Sequence, residues 1–516
     1  MKIDLFDYLK KIKIQYKITF LSTIIFGFLS QGMGIFNKYS YSDDIGSGFS
    51  CLGATITSGR WMLEVLSKIE LFIFGDGHYS LPVFNGIVAL FYIGLTSCLL
   101  ISLFKCQNII LCFCLGGIMV AFPTITGIFG YIFAAPSYMF GMLMGVTGLY
   151  LICKETKKIN IIIGILLMSC SVGVYQAFIP LFLGLFVIYL IMFCVNNSTD
   201  TKLIIREIVK IIIAILSFIC IYFVVNKFAL YISKSELTSY LGINTMGDES
   251  LLEYFSRAIY AYGRFFILNN SSDYYMYYGN IRIVYYFILI VSLLLFVLLF
   301  IKIWKINKLN SFILLCLFAC VPLASNFIFV MVESNNVHAL MVYGQIIPYI
   351  LAIVLFDNDQ VENNFIKIVS ITGIIALLLI NIMYCRFDNQ CYLYAEFSQQ
   401  EAISYFTILI TRIKSCDNYD DELPVSFVFI DGSHIEDKSM YDFEHLNHIK
   451  VNPYDDMYHY VNNYEWKTFM KRWCGYSPEI VDGSDLMTNQ EVLEMSCYPD
   501  AGSIKVVDNR IVVRFQ

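Results

Sequence analysis

Residues 281–301 read IRIVYYFILIVSLLLFVLLFI, with Arg282 the single charged side chain. At ~1.5 Å per residue, such a helix covers the roughly 30 Å hydrocarbon layer of a bilayer. A helix apolar on every side is either a deep core helix or a membrane span, and composition decides between them. Of 516 residues, 58% are hydrophobic and 15% charged, and the mean hydropathy is +0.66. A water-soluble chain with this balance would expose more apolar surface than water tolerates. The sequence is that of a polytopic membrane protein, mainly α.

Outward from that stretch, roughly eleven segments of about 17–25 residues qualify as spans. They fall near 18–36, 81–104, 107–124, 132–153, 159–174, 176–195, 208–227, 281–301, 309–331, 337–356 and 365–385. Lys and Arg gather in alternate connections: Lys10, Lys11, Lys13 and Lys17; Lys105; Lys154, Lys157 and Lys158; Lys202, Arg206 and Lys210; Lys302, Lys305 and Lys308. The positive-inside rule then predicts a cytoplasmic N-terminus. An odd number of crossings puts the C-terminus outside, with loops at about 37–80 and 228–280. The basic opening, MKIDLFDYLKKIKIQYK, precedes no small-x-small cleavage site, so an uncleaved signal anchor is expected.

Residues 386–516 differ in character from the membrane domain expected over 1–385. SQQEAISYFTILITRI has helical apolar spacing, VSFVFI reads as a buried strand, and IKVVDNRIVVRF reads as a hairpin turning at Asp508 and Asn509. A small C-terminal α/β domain, extracytoplasmic by the topology above, is predicted. Most of the 16 cysteines lie in apolar runs (Cys98, Cys112, Cys114, Cys170, Cys220, Cys316), where cysteine behaves as a small hydrophobe. Cys391, Cys416, Cys474 and Cys497 fall in the C-terminal part, and their pairing depends on the side it faces. The net charge of −6 says nothing about nucleic acid, and with no basic stripe or aromatic-basic platform no nucleic-acid partner is expected. There is no Walker loop, GxGxxG or nucleophile elbow, and the cytoplasmic loops are too short for a nucleotide-sugar site.

The first external loop is the most informative. YSDD, residues 41–44, follows the first span closely, so Asp43 and Asp44 belong near the outer headgroup layer. TSGRWMLEVLSKIELFIF, residues 57–74, has helical spacing but too much charge to span. It fits an interfacial helix anchored by Trp61, with Arg60 and Glu64 one turn apart on a shared face. An arginine beside a carboxylate pair suits a lipid with an anionic headgroup. The same residues also serve as a helix cap, a solvated loop and a surface ion pair. Two carboxylates with waters can hold magnesium or manganese, but no DxD spacing or histidine partner accompanies them, and no cofactor or metal is expected.

YSDD…TSGRWMLEVL after a first span, about eleven spans and an external C-terminal domain together resemble the Gtr-type, phage-associated bacterial glucosyltransferases that modify O-antigen. The short motifs are moderately specific, and the layout covers essentially the whole chain. The resemblance implies a GT-C-like fold in the bacterial inner membrane. It implies transfer of glucose from undecaprenyl-phosphate-glucose to O-antigen repeat units of lipopolysaccharide, on the periplasmic face. A separate flippase and a donor-synthesising transferase would work alongside it. The family's acidic catalytic residue in the first external loop falls here on Asp43 or Asp44. The chemistry agrees: a polyprenyl phosphate leaves as a stable anion, so the site needs one base and a cation rather than two carboxyl groups of distinct role. Asp43 or Asp44 supplies the base and Arg60 the cation.

The second external loop carries LLEYFSRAIYAYGRFFILNNSSDYYMYYGN, residues 251–280. Arg257 and Arg264 lie two turns apart on an amphipathic helix with Tyr260 between them, placed to clamp a phosphate. Tyr274, Tyr275, Tyr277 and Tyr278 suit sugar stacking and equally an interfacial aromatic belt. Glu333, Asn335, Asn336 and His338 stand at the mouth of a span, as cavity groups or as an ordinary polar turn. His78 and His434 read as loop residues, and Tyr175 and Gln176 beside Pro180 as packing or a break between helices. Trp466, Trp473, Tyr458 and Tyr460 suit glycan stacking, although core packing explains the tryptophans as well. Two other classes compete: a lipid-linked sugar transporter or flippase, and a transferase using the same donor on lipid A or another acceptor. Related halves and charges inside spans would mark a transporter. The spans hold few charges, and the chain has a folded external tail.

Overall fold

A computed structural model describes residues 11–39, 44, 55–75, 80–239, 249–268, 279–357, 364–429 and 466–515. These residues are mainly helical, with one small sheet. Among them are eight helices long and apolar enough to cross a membrane: Ile14–Phe36, Pro82–Phe104, Ala135–Lys154, Gln176–Asn196, Thr201–Ser233, Asn280–Ile306, Lys308–Ser325 and Lys367–Lys414. Eight is fewer than the eleven expected because three segments form shorter apolar helices: Ile109–Ala121, Lys158–Val174 and Tyr343–Phe356.

Lys158–Val174 has the length read from the sequence, and the ends of these helices have local causes. Ile109–Ala121 begins where the Asn108 side chain accepts from the amides of Ile110 and Leu111, and stops at Phe122, which is extended before Pro123. Lys158–Val174 stops at Tyr175, extended at φ −156° and ψ 111°, and the next helix has Pro180 in its first turn. Between Lys308–Ser325 and Ile347–Phe356 the chain makes short turns rather than one rod. The later part of that connection is covered by protein. Val342, Tyr343 and Ile346 are buried, and the Gln345 side chain donates to Asn326 Oδ1 at 3.0 Å.

The chain forms two compact units, one within Met1–Lys38 and Phe49–Asn389, the other within Tyr39–Gly48, Gln390–Ile449 and Pro453–Gln516. The helix Asn364–Lys414 carries residues of both. It has no proline and a single glycine, Gly373, so nothing local ends it at 385, where a domain boundary was expected.

In the first unit, small and hydroxyl side chains bring helices together, as they do where lipid supplies no hydrophobic drive. Thr19, Ser22 and Thr23 donate to the carbonyls of Cys112, Phe113 and Gly116 at 3.2, 2.5 and 3.0 Å, joining Ile14–Phe36 to Ile109–Ala121. Ala135–Lys154 and Lys158–Val174 meet at two glycines. A Cβ at Gly148 would lie 2.5 Å from the Gly164 carbonyl oxygen, and one at Gly164 would lie 2.7 Å from that of Gly148.

In the second unit the sheet runs β1 (Val425–Val428), β3 (Arg510–Arg514), β2 (Ile504–Val507), with β1 parallel and β2 antiparallel to β3. Asp508 and Asn509 both take positive φ, as a two-residue hairpin turn requires. One layer of core joins Ala402, Phe406, Leu409 and Ile413 to Val425, Ile511 and Val513. A second joins Val428, Val507 and Val512 to Leu486, Val492 and Met495. Trp466 packs edge-on against Phe427 and Trp473 stacks on Phe469, so both tryptophans belong to the first layer. Cys391, Cys416, Cys474 and Cys497 form no disulfide with one another.

Candidate functional site

The Arg60 site begins with a turn. The Arg60 amide donates to the Thr55 carbonyl at 2.7 Å and the Gly59 amide to that of Ile56 at 2.9 Å. Gly59 has φ +73°, a backbone state that side-chain-bearing residues rarely adopt. Arg60 is the N-cap of Trp61–Phe74 and not part of its helical face. Its Nη1 donates to Tyr138 Oη at 3.2 Å, and its guanidinium lies 5.2 Å from the centre of the Tyr175 ring. Tyr138 and Tyr175 pack together at 4.9 Å between ring centres.

Gln176 holds the same turn. Its Nε2 donates to the Ser58 carbonyl at 2.8 Å and to Tyr222 Oη at 3.0 Å, and Tyr222 Oη donates to the Gly59 carbonyl at 3.1 Å. Glu64 accepts from Thr55 Oγ1 at 2.6 Å and pairs with Lys68 at 3.3 Å. Trp61 lies against Gly173, where an added Cβ would come within 2.5 Å of the indole. Phe72, Ile73 and Phe74, at the far end of the helix, are exposed. An amphipathic helix of this kind suits a membrane interface.

Asp43 lies outside the described residues. Asp44, in the second unit, is helical and fully buried. In that unit Tyr39 reaches Glu396 Oε2 at 3.5 Å and lies over Tyr392, with ring centres 6.0 Å apart. Burial and the Glu396 carboxylate push the Tyr39 phenol above its ordinary pKa.

The second-loop residues form a separate group. Leu251–Phe266 is capped by Ser250, whose Oγ accepts from the Glu253 amide. Arg257 pairs with Glu249, Glu253 and Glu333 at 2.9, 3.2 and 3.5 Å, and its side chain is only 11% exposed. Two candidates from different loops, Arg257 and Glu333, thus meet. Arg264 donates to Tyr260 Oη at 2.8 Å, with its guanidinium 4.7 Å from the Phe329 ring centre. It borders a small hollow lined by Tyr285, Ser325, Asn326 and Gln345. His338 is partly exposed, and burial around its imidazole lowers its pKa. His78, Tyr274, Tyr275, Tyr277, Tyr278, His434, Tyr458 and Tyr460 lie outside the described residues. No group of three or more His, Cys, Asp or Glu able to hold a metal ion occurs among the described residues.

Three features were missed in the sequence. Tyr222 sat inside an apolar span with nothing to mark it. Gln176 reads in the sequence as packing or a break between helices, and its role depends on partners far along the chain. Asp388 is fully buried in the first unit, where Gln31 Nε2 donates to Asp388 Oδ2 at 3.5 Å and to Thr126 Oγ1 at 3.2 Å. A carboxyl group so placed is costly and warrants attention in a membrane protein. The signal was the absence of any helix breaker after residue 385.

The family model described as Glucosyl transferase GtrII matches residues 32–349, a stretch that includes Arg60, Gln176, Tyr222, Arg257 and Arg264. No curated protein and no solved structure matches the chain.

Proposed function

The chain belongs to the glucosyl transferase GtrII family, and from that premise we propose the reaction this membrane glucosyltransferase performs. Glucose passes from undecaprenyl-phosphate-glucose to a hydroxyl of an O-antigen repeat unit, on the periplasmic face of the inner membrane. A separate flippase and a donor-synthesising transferase supply the donor there. The observation that carries this reading is Arg60: a cation held against two tyrosines at the head of an amphipathic helix. A lipid-linked sugar phosphate presents its charge at the depth where such a helix lies.

In this reaction the acceptor oxygen bonds to the anomeric carbon as the bond from that carbon to the phosphate oxygen breaks. The electron pair of the broken bond leaves with undecaprenyl phosphate. The acceptor's proton passes to the carboxylate of Asp43 or Asp44. The departing phosphate gains a second negative charge, so a fixed cation favours the transition state over the ground state. Arg60 takes that role, with Arg264 as a second cation along the lipid's path. Arg257 already faces three carboxylates; it serves to hold its helix against Glu333.

Protein reconstituted in liposomes with undecaprenyl-phosphate-glucose and O-antigen should yield glucosylated polysaccharide, and should yield none from UDP-glucose. Movement of the donor lipid without a new glycosidic bond would mean a flippase instead. Asp43→Asn and Asp44→Asn separate the two acids: one of them should lose transfer by about 10²-fold or more while inserting normally. Full activity in both variants would remove the base from this loop.

A further inference from the structure

We propose that Gln176 and Tyr222 are positioning residues that set where the Arg60 guanidinium points, a claim that rests on Arg60 being the donor-phosphate cation. An arginine on a surface loop samples many rotamers, and holding it costs side-chain entropy. Here both ends of the residue are constrained. Its backbone follows Gly59, whose carbonyl accepts from Tyr222 Oη, and Ser58, whose carbonyl accepts from Gln176 Nε2. Its head lies on Tyr175, the residue next to Gln176 in the chain.

One discontinuity therefore grips Arg60 twice. Because Lys158–Val174 ends at Tyr175, the extended backbone there turns the tyrosine ring beneath the guanidinium and the next side chain beneath the turn. Tyr222, 6% exposed on Thr201–Ser233, braces Gln176 from the other side through the 3.0 Å bond between them. The fit is close: a Cβ at Gly59 would sit 2.7 Å from both Gln176 Nε2 and Tyr222 Oη. Neither residue touches the guanidinium through these bonds, so both act through the turn. A cation aimed in advance contributes to the transition state without reorganising during reaction, whereas a small misplacement costs rate steeply.

The test is a double-mutant cycle in proteoliposomes, with kcat and donor KM measured separately and rates normalised to folded protein. Arg60→Ala should lower kcat by about 10²–10³-fold, as removal of a transition-state donor does. Tyr222→Phe and Gln176→Leu should each lower kcat by roughly 10-fold or more with little change in KM. Neither should lower it further when Arg60 is already alanine. Tyr189→Phe is the control, since that hydroxyl also bonds a carbonyl (Cys153) inside the helical unit but away from the turn. It should leave kcat unchanged. Independent losses in the Arg60→Ala background, or a Tyr222→Phe profile matching that of Tyr189→Phe, would overturn the positioning role. Wild-type kinetics in Arg60→Ala would instead overturn the phosphate reading beneath it.

Discussion

Arg257 and Arg264 read alike in the sequence, two cations on one helix, and the structure gives them different company. Arg257 is enclosed by Glu249, Glu253 and Glu333, whereas Arg264 rests on Tyr260 and Phe329. Arg257→Gln would leave three carboxylates facing one another. It should lower stability by about 1 kcal/mol, since two of its partners are well exposed. Donor KM should stay unchanged. Thermal melting in detergent checks this, and the deficit should narrow as salt rises. A raised KM with unchanged melting would return Arg257 to the donor site. The partners Glu253 and Tyr260 follow from i,i+4 spacing on the helix, but Glu333 and Phe329 come from distant positions that no spacing rule connects. Tyr222 and Gln176, 46 residues apart, were hidden for the same reason.

Elements were more legible. Apolar runs located every long helix, and Asp508 and Asn509 located the hairpin turn, because both signals are local. Lengths were read less well. The sequence window that gave a span at 208–227 could not show that the helix extends over Thr201–Ser233, since polar residues at its ends do not by themselves stop a helix. By contrast, the break at Tyr175 falls where the sequence placed it, between the spans read at 159–174 and 176–195. Contacts between elements are the least legible of all. Gly148→Ala illustrates why: alanine is the better helix former, yet its methyl group would meet the Gly164 carbonyl oxygen at 2.5 Å. The variant should be destabilised by about 1–3 kcal/mol through overpacking, visible as a lower melting temperature in detergent. An unchanged or raised melting temperature would show that the two helices can separate at no cost.

At the scale of the whole molecule, the alternation of Lys and Arg along the chain predicts a cytoplasmic N-terminus and an external C-terminus. Reporter fusions test this directly. Alkaline phosphatase fused after Gln516 should be active and a fluorescent protein there dark, with the reverse outcome for fusions near Lys305. A bright fluorescent protein at Gln516 would place the last unit on the wrong side for a periplasmic acceptor. Membrane character, helical class and family were open to sequence because they rest on composition and on short motifs. A boundary at 385 was read from the change there from apolar to polar residues, a local signal that does not tell whether a helix continues through it, as Asn364–Lys414 does.

The hydroxyls of Thr19, Ser22 and Thr23 tie Ile14–Phe36 to a helix that ends at Ala121, with Pro82–Phe104 packed alongside. All three pieces are synthesised within the first quarter of the chain. The nascent protein can thus close its opening bundle early, offering later segments a finished wall to dock on as the translocon releases them.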